Sequence, residues 1–331
     1  MARTLFIGLC MPILVFSILS YTVYYYVQFQ TKEGIDYKTV FALYLYAMSL
    51  ISYSIIMIKT PSPVPSWSKS HSMSLCNEKG GPLYCNRCNI IKPERTHHCS
   101  ECDQCAPKMD HHCLWINGCV DQGNYKQFFL FVFYVAAYAL WVEFNTLPIL
   151  LNMVKDRIPG GRFTWSFCFK VYKTYLSSIY YFWRNIVMMV WYRTWIPLLS
   201  GVEGLGLDDI SPHWYSVCAL GCVFGLTVSG FALAHFCFII KNKTSIEFAA
   251  NRPIFVRVDF DQTGENYRVV CIKEKKDFKN MYDVGMYQNW CSVMGSKPLL
   301  WLVPFNSASL TNESSFAYNP AFTAHVLKLA N

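Results

Sequence analysis

Charge is what this sequence has least of. Lysine, arginine, aspartate and glutamate make up 15% of its 331 residues, while apolar residues reach 53% and aromatics alone 17%. That composition excludes an ordinary water-soluble multidomain chain and points to a membrane protein with a modest soluble part. A basic stripe interleaved with stacking aromatics is also missing, which argues against nucleic acid as a partner. The formal net charge of +8 suits an anionic leaflet or a phosphorylated cofactor instead. The first apolar run lacks a small-residue cleavage site and ends in Tyr24, Tyr25 and Tyr26. A retained span with an interfacial tyrosine belt is therefore expected, rather than a signal peptide. The tail from residue 241 shows no repeat.

Four apolar runs are long enough to cross a bilayer. They cover about Leu5–Val27, Thr39–Ile58, Gln127–Leu151 and His213–Ile240. The connector from Gln28 to Lys38, with Lys32, Glu33 and Asp36, is short enough to make the first two an antiparallel pair. After Lys59 the run Pro61-Ser-Pro-Val-Pro-Ser66 is a stiff extended exit that cannot be helical. Tyr180–Leu199 is apolar but broken by Arg184 and Arg193. We expect it to form an interfacial helix or lumenal cap, because a fifth span would put the tail on the wrong side of the membrane.

Seven of the fifteen cysteines and four of the eight histidines crowd into residues 85–128. The pattern is Cys-x2-Cys-x9-His-Cys-x2-Cys-x2-Cys-x4-Asp-His-His-Cys-x5-Cys-x4-Asn-x3-Phe. An odd number of cysteines, interleaved with histidines at Cys-x2-Cys spacing, favours zinc over a disulfide staple. Two tetrahedral sites need eight ligands, and eleven side chains are on offer. Cys85 and Cys88 can chelate one ion, and Cys99 and Cys102 another. Neighbours His98 and Cys99 point to opposite sides of an extended segment, so they can feed different ions and lace the sites together. His112 and Cys113 repeat that adjacency. A surplus cysteine beside Asp-His-His is a natural nucleophile, with His111 as base and Asp110 as the orienting group. Spacing alone leaves open which cysteine is surplus.

This stretch resembles the cysteine-rich domain of the DHHC protein S-acyltransferases (palmitoyltransferases), with agreement at every ligand position. The resemblance implies one zinc on Cys85, Cys88, His98 and Cys105, and a second on Cys99, Cys102, His112 and Cys119. It implies Cys113 as the acyl acceptor, with Asp110 and His111 beside it and His97 as a non-ligand. Acyl-CoA (palmitoyl-CoA) is the implied co-substrate, and cysteine-containing membrane-associated proteins are the implied substrates. The implied location is the endomembrane system: Golgi, ER or plasma membrane. Two departures stand out: Leu114-Trp115 replaces the usual Pro-Trp, and Asn117-Gly118 replaces Asn-Asn. Both are expected to loosen the turn after Cys113. In the tail, Thr244-Ser245-Ile246-Glu247 resembles the family's Thr-Thr-x-Glu element, with a hydroxyl retained for a bond towards Asp110. Asn280 and Tyr282 resemble the asparagine and aromatic of its C-terminal segment, with Met281 between them in place of proline.

The expected fold is thus an α-helical multi-pass membrane protein. Its cysteine-rich two-zinc domain lies between the second and third of four transmembrane helices. In chain order, residues 1–58 hold spans one and two with a short lumenal connector, and 59–126 form the zinc domain. Residues 127–151 are the third span, 152–212 a lumenal loop, 213–240 the fourth span and 241–331 a C-terminal region. Reactive and zinc-binding thiols need a reducing compartment, which places 59–126 and the tail in the cytosol. The sequons at Asn242 and Asn312 then carry no glycan. Lys92 and Arg95 can meet CoA phosphates, although a solvated face explains them equally. Phe128, Phe131, Val135 and Tyr138 recur at helical spacing and can line an acyl groove, with Tyr138 as its stop. Ordinary helix packing explains the same stripe. A catalytically weak, zinc-stabilised membrane adaptor is the alternative function, supported by Leu114.

Overall fold

The computed structural model describes residues 2–31, 34–59, 62–66, 72–162, 164–193, 195–197, 210–250, 253–261, 263–272, 280–305 and 316–331. Lys32, Glu33, Pro61, Asn312 and all of 198–209, with the end of the Tyr180–Leu199 run, lie outside the described residues. Among the described residues, four helices are long and apolar enough to cross a membrane: α1 (Ala2–Gln30), α2 (Tyr37–Lys59), α3 (Tyr125–Arg157) and α5 (Pro212–Ile240). Helices α1 and α3 run several residues past their sequence-based spans, α2 runs two residues past at its start and one at its end, and α5 matches its span to within one residue. Leu19, Tyr26, Ala42, Leu45, Leu130, Tyr134 and Val217 are packed into one core shared by all four. Their outward faces leave Ile13, Leu226 and Leu233 more than half exposed, an arrangement suited to lipid rather than water.

Between α2 and α3 the chain forms strand β1 (Met73–Cys76) and then three small hairpins. These are β2 (Tyr84–Cys85) with β3 (Ile90–Ile91), β4 (His97–Cys99) with β5 (Gln104–Ala106), and β6 (His111–Cys113) with β7 (Gly118–Val120). Asn89 and Asp103 each follow a Cys-x2-Cys pair and adopt left-handed backbone, at φ 54° and 50°. Short polar side chains tolerate that turn, and it folds each pair of thiols towards one point.

The tail is tied into this region. After α6 (Ser245–Ala249), strands β8 (Ile254–Asp259) and β9 (Tyr267–Ile272) join β1 in an antiparallel sheet of order β1-β8-β9. Helix α7 (Met286–Met294) follows, and helix α8 (Pro320–Ala330) covers the sheet through Phe322 and Val326, against Val256, Val258 and Val270. The segment 298–305 docks on the start of α3. Lys126 Nζ donates to the carbonyls of Leu300 and Phe305, and Tyr134 Oη donates to that of Leu302. The tail thereby fixes the end of α3 from which the reactive region hangs.

Candidate active site

Strand register decides which ligands share an ion. His98 pairs directly with Cys105, and His112 with Cys119, so each pair projects to one face of its hairpin. Cys85, Cys88, His98 and Cys105 bring their donor atoms within 4.8 Å of one another, as do Cys99, Cys102, His112 and Cys119. His98 Nδ1 lies 3.6 and 3.2 Å from the sulfurs of Cys85 and Cys88, and His112 Nδ1 lies 3.5 and 3.3 Å from those of Cys99 and Cys102. Zn–S bonds near 2.3 Å and Zn–N bonds near 2.0 Å require tetrahedral edges of roughly 3.5 to 3.8 Å. Both sets fit zinc with three thiolates and one imidazole. Adjacent His98 and Cys99 serve different sets, so the two sites are laced through β4.

Alternation along β6 then turns His111 and Cys113 away from the ligand face that His112 occupies. Cys113 belongs to neither ligand set. His111 Nδ1 is 2.8 Å from Asp110 Oδ2, and the Asp110 side chain is fully buried. Burial pushes the Asp110 carboxyl up, but bonds from His111 and from the Ser245 amide outweigh it and hold the group below the usual carboxylate range. For His111, burial favours the neutral ring. Hydrogen bonding with Asp110 and the Cys113 thiol overcomes this and pushes the imidazole up to about 9. His97 joins neither set, and burial, aided by nearby Lys92, lowers its pKa.

The turn after Cys113 is built from local backbone bonds. Leu114–Ile116 form a 3-10 turn, Asn117 takes the left-handed conformation at φ 46°, and Gly118 pairs with Cys113 inside β7. Tyr53 Oη of α2 donates to the Trp115 carbonyl at 2.6 Å, bracing the turn from the bilayer side.

Beneath Cys113 opens an apolar cavity of about 580 Å³ between α1, α3 and α5. His111, Cys113, Phe128, Phe131 and Tyr138 all line it. On α3 it runs from Phe128 to Val142, fourteen residues or roughly 21 Å of helix. Tyr138 is therefore a wall residue, not the end of the groove. Its hydroxyl donates to Thr22 Oγ1 of α1 at 3.1 Å, and the floor lies a turn deeper at Val142, Val217 and Gly221.

Lys92 and Arg95 are not among the residues that line the cavity. Lys92 is half-buried, with its amide bonded to the Leu83 carbonyl. Arg95 is buried, and its guanidinium is spent on both carboxylate oxygens of Glu247 (2.7 and 2.8 Å) and on Asn242. It also stacks over Tyr282, 4.2 Å from the ring centre. Arg95 thus clamps the zinc domain to the tail through a bidentate pair with Glu247.

Ser245 and Asn280 arrive where the tail motifs suggested. Ser245 N–H donates to Asp110 Oδ1 at 2.9 Å, and Thr244 and Glu247 close a capping box around the start of α6. Asn280 Nδ2 donates to the carbonyls of Lys241 and Asn242 at the end of α5. Sequence reasoning missed His235. It is 2% exposed on α5, its Nδ1 is 2.9 Å from Tyr125 Oη, and its ring lies 5.9 Å from that of His111. A histidine inside an otherwise apolar span was the available signal, since such residues are costly in a membrane without a role.

A profile of the DHHC palmitoyltransferase family matches residues 78–252. Among curated proteins, the chain is 30% identical over 233 residues to Palmitoyltransferase PFA3 of Debaryomyces hansenii, covering 70% of this chain and 45% of that protein. It is 27% identical over 272 residues to Probable protein S-acyltransferase 16 of Arabidopsis thaliana, covering 78% and 72%. It is 37% identical over 149 residues to Palmitoyltransferase ZDHHC20 of Bos taurus, covering 40% of each. The chain spans about half the length of the first of these. The profile covers more than half of this chain, including both ligand sets, Cys113 and the Ser245–Glu247 latch, and the chain belongs to the DHHC palmitoyltransferase family.

Proposed function

We propose that this chain is a protein S-acyltransferase that moves a long-chain acyl group, such as palmitoyl, from acyl-CoA to cysteine thiols of membrane-associated proteins. The observation that carries this reading is the position of Cys113. It sits outside both ligand sets, beside an Asp110–His111 pair, at the mouth of a cavity long and apolar enough for a fatty chain.

In the first step His111 takes the Cys113 proton, held in place by Asp110. The thiolate attacks the acyl-CoA carbonyl, the new S–C bond forms, and the C–S bond to CoA breaks. CoA leaves as a thiolate and takes the proton from His111. In the second step His111 accepts the proton of a substrate cysteine, whose thiolate attacks the Cys113 thioester. The acyl group transfers, and the proton returns to Cys113. Each buried methylene of the acyl tail contributes about 0.8 kcal/mol to holding the donor. The zinc ions on the eight ligands supply folding free energy and positive potential near the thiolate.

The reading also assigns 59–126 and the tail to the cytosol, where acyl-CoA and reduced thiols are found, and the chain to endomembranes. The test is CoA release from palmitoyl-CoA by the purified chain. Wild type releases CoA in the presence of an acceptor thiol, and Cys113→Ser does not. Equal release by both would sink the proposal.

A further inference from the structure

Helix α4 (Trp165–Tyr192) joins the far ends of α3 and α5, and the reaction described above makes no use of it. Thr164 caps it by accepting from the Phe167 amide. Among its described residues, Asn185 alone is buried. Ser166, Lys170, Lys173, Ser177 and Arg184 recur at intervals of four, three, four and seven, which places them on one side of the helix. Roughly 120° around the helix, Trp165, Tyr172, Leu176, Ile179, Trp183 and Val190 form an apolar seam, and every one of them is exposed. Trp165 is 87% exposed and Trp183 is 62%.

Charge and tethering indicate what covers the seam. From Arg157 to Arg193 the chain carries six basic residues and no acidic one. In the chain α4 lies between α3 and α5, two helices long and apolar enough to span a bilayer, at their ends away from the zinc domain. Lys173 and Arg184 flank the seam, where their stems can reach lipid phosphates while the aromatic rings enter the acyl boundary. Tryptophan and tyrosine at the seam are the side chains enriched at that depth. Residues 195–197 meet α4 on the side away from the seam, where Asn185 Nδ2 donates to the Pro197 carbonyl at 3.1 Å. The seam is thus the side left for the bilayer.

We infer that α4 is an in-plane membrane-binding helix. It docks its Trp165–Val190 seam into the headgroup region of the leaflet opposite the zinc domain, and its cations select anionic lipid. The inference is independent of acyl transfer. Docked this way, α4 holds the ends of α3 and α5 at a fixed depth, next to the cavity floor at Val142 and Val217.

The test uses the full chain in phosphatidylcholine vesicles with and without phosphatidylserine, doped with a phospholipid carrying a diazirine in its acyl chain. After irradiation and digestion, adducts are mapped by mass spectrometry and normalised to those on α3 and α5. Adducts on Trp183 and its seam neighbours, with none on Ser166 or Ser177, are expected. Phosphatidylserine should raise them, and Lys170→Glu with Lys173→Glu should cut that gain by about fivefold or more while α3 and α5 label as before. An unlabelled α4 beside labelled α3 and α5 overturns the inference. So do adducts on both faces, which indicate a span, and cross-links between two copies of α4, which indicate a dimer seam. A phosphatidylserine gain that the double variant leaves intact overturns the role of the cations.

Discussion

Ser245 binds Asp110 through both its amide and its hydroxyl. The amide donates to Oδ1 at 2.9 Å, and the hydroxyl donates to the Asp110 backbone carbonyl at 2.5 Å and lies 3.0 Å from Oδ2. A residue 135 positions away in sequence thereby holds the carboxylate that orients His111. Ser245→Ala keeps the amide bond and loses the hydroxyl bonds. A charge-assisted hydrogen bond contributes about 1.5 to 3 kcal/mol, so a fall in turnover of roughly ten- to a hundredfold is expected, with zinc content unchanged. Ser245→Thr should retain most activity. If Ser245→Ala turns over at the wild-type rate, the tail does not position the tetrad.

Arg95 gives a stability prediction. Its guanidinium side chain is 1% exposed and paired with a Glu247 carboxylate that is 19% exposed. Removing one partner of a buried pair leaves an uncompensated charge and costs about 3 to 5 kcal/mol. Arg95→Ala should therefore lower the thermal midpoint sharply, and Arg95→Lys, which cannot form the bidentate fork, should rescue it only in part. If instead the alanine variant is stable and merely binds CoA more weakly, Arg95 meets phosphate after all.

These two positions show what was legible in the chain. Ligand spacing made the zinc domain readable, because tetrahedral coordination imposes its geometry on sequence, and the four apolar runs fixed the spans. The Arg95 clamp was not legible, because a cation in a loop looks solvated until its partner, Glu247 in a distant segment, is placed on it. Strand β1 was unreadable for the same reason, since Met73–Cys76 becomes a strand only by pairing with Ile254–Asp259. His235 and the depth of the cavity depend on how α3 and α5 cross, which hydrophobic periodicity does not encode. The turn at Leu114 is braced by Tyr53, a residue 62 positions from its partner Trp115.

Acyl-chain selectivity should respond to the floor of the cavity. Val217 is fully buried on α5 and lines the deepest turn. Val217→Phe should favour shorter acyl chains and Val217→Ala longer ones. Each methylene gained or lost changes binding by about 0.8 kcal/mol, or roughly fourfold. Competition between acyl-CoAs of different length measures the shift. Should neither variant change the preference while both fold, the acyl tail lies elsewhere.

The most direct measurement locates the acyl group and counts the metal in the same sample. Purified chain is incubated with palmitoyl-CoA, its cysteine peptides are mapped by mass spectrometry, and bound zinc is determined before and after. A hydroxylamine-sensitive palmitoyl thioester on Cys113 is expected, with two zinc ions per chain in both wild type and Cys113→Ser. Cys99→Ala should fail to fold, because its thiolate belongs to a site laced through β4. A thioester on any other cysteine of 85–119, or loss of one zinc from Cys113→Ser, would show that nucleophile and ligand have been exchanged.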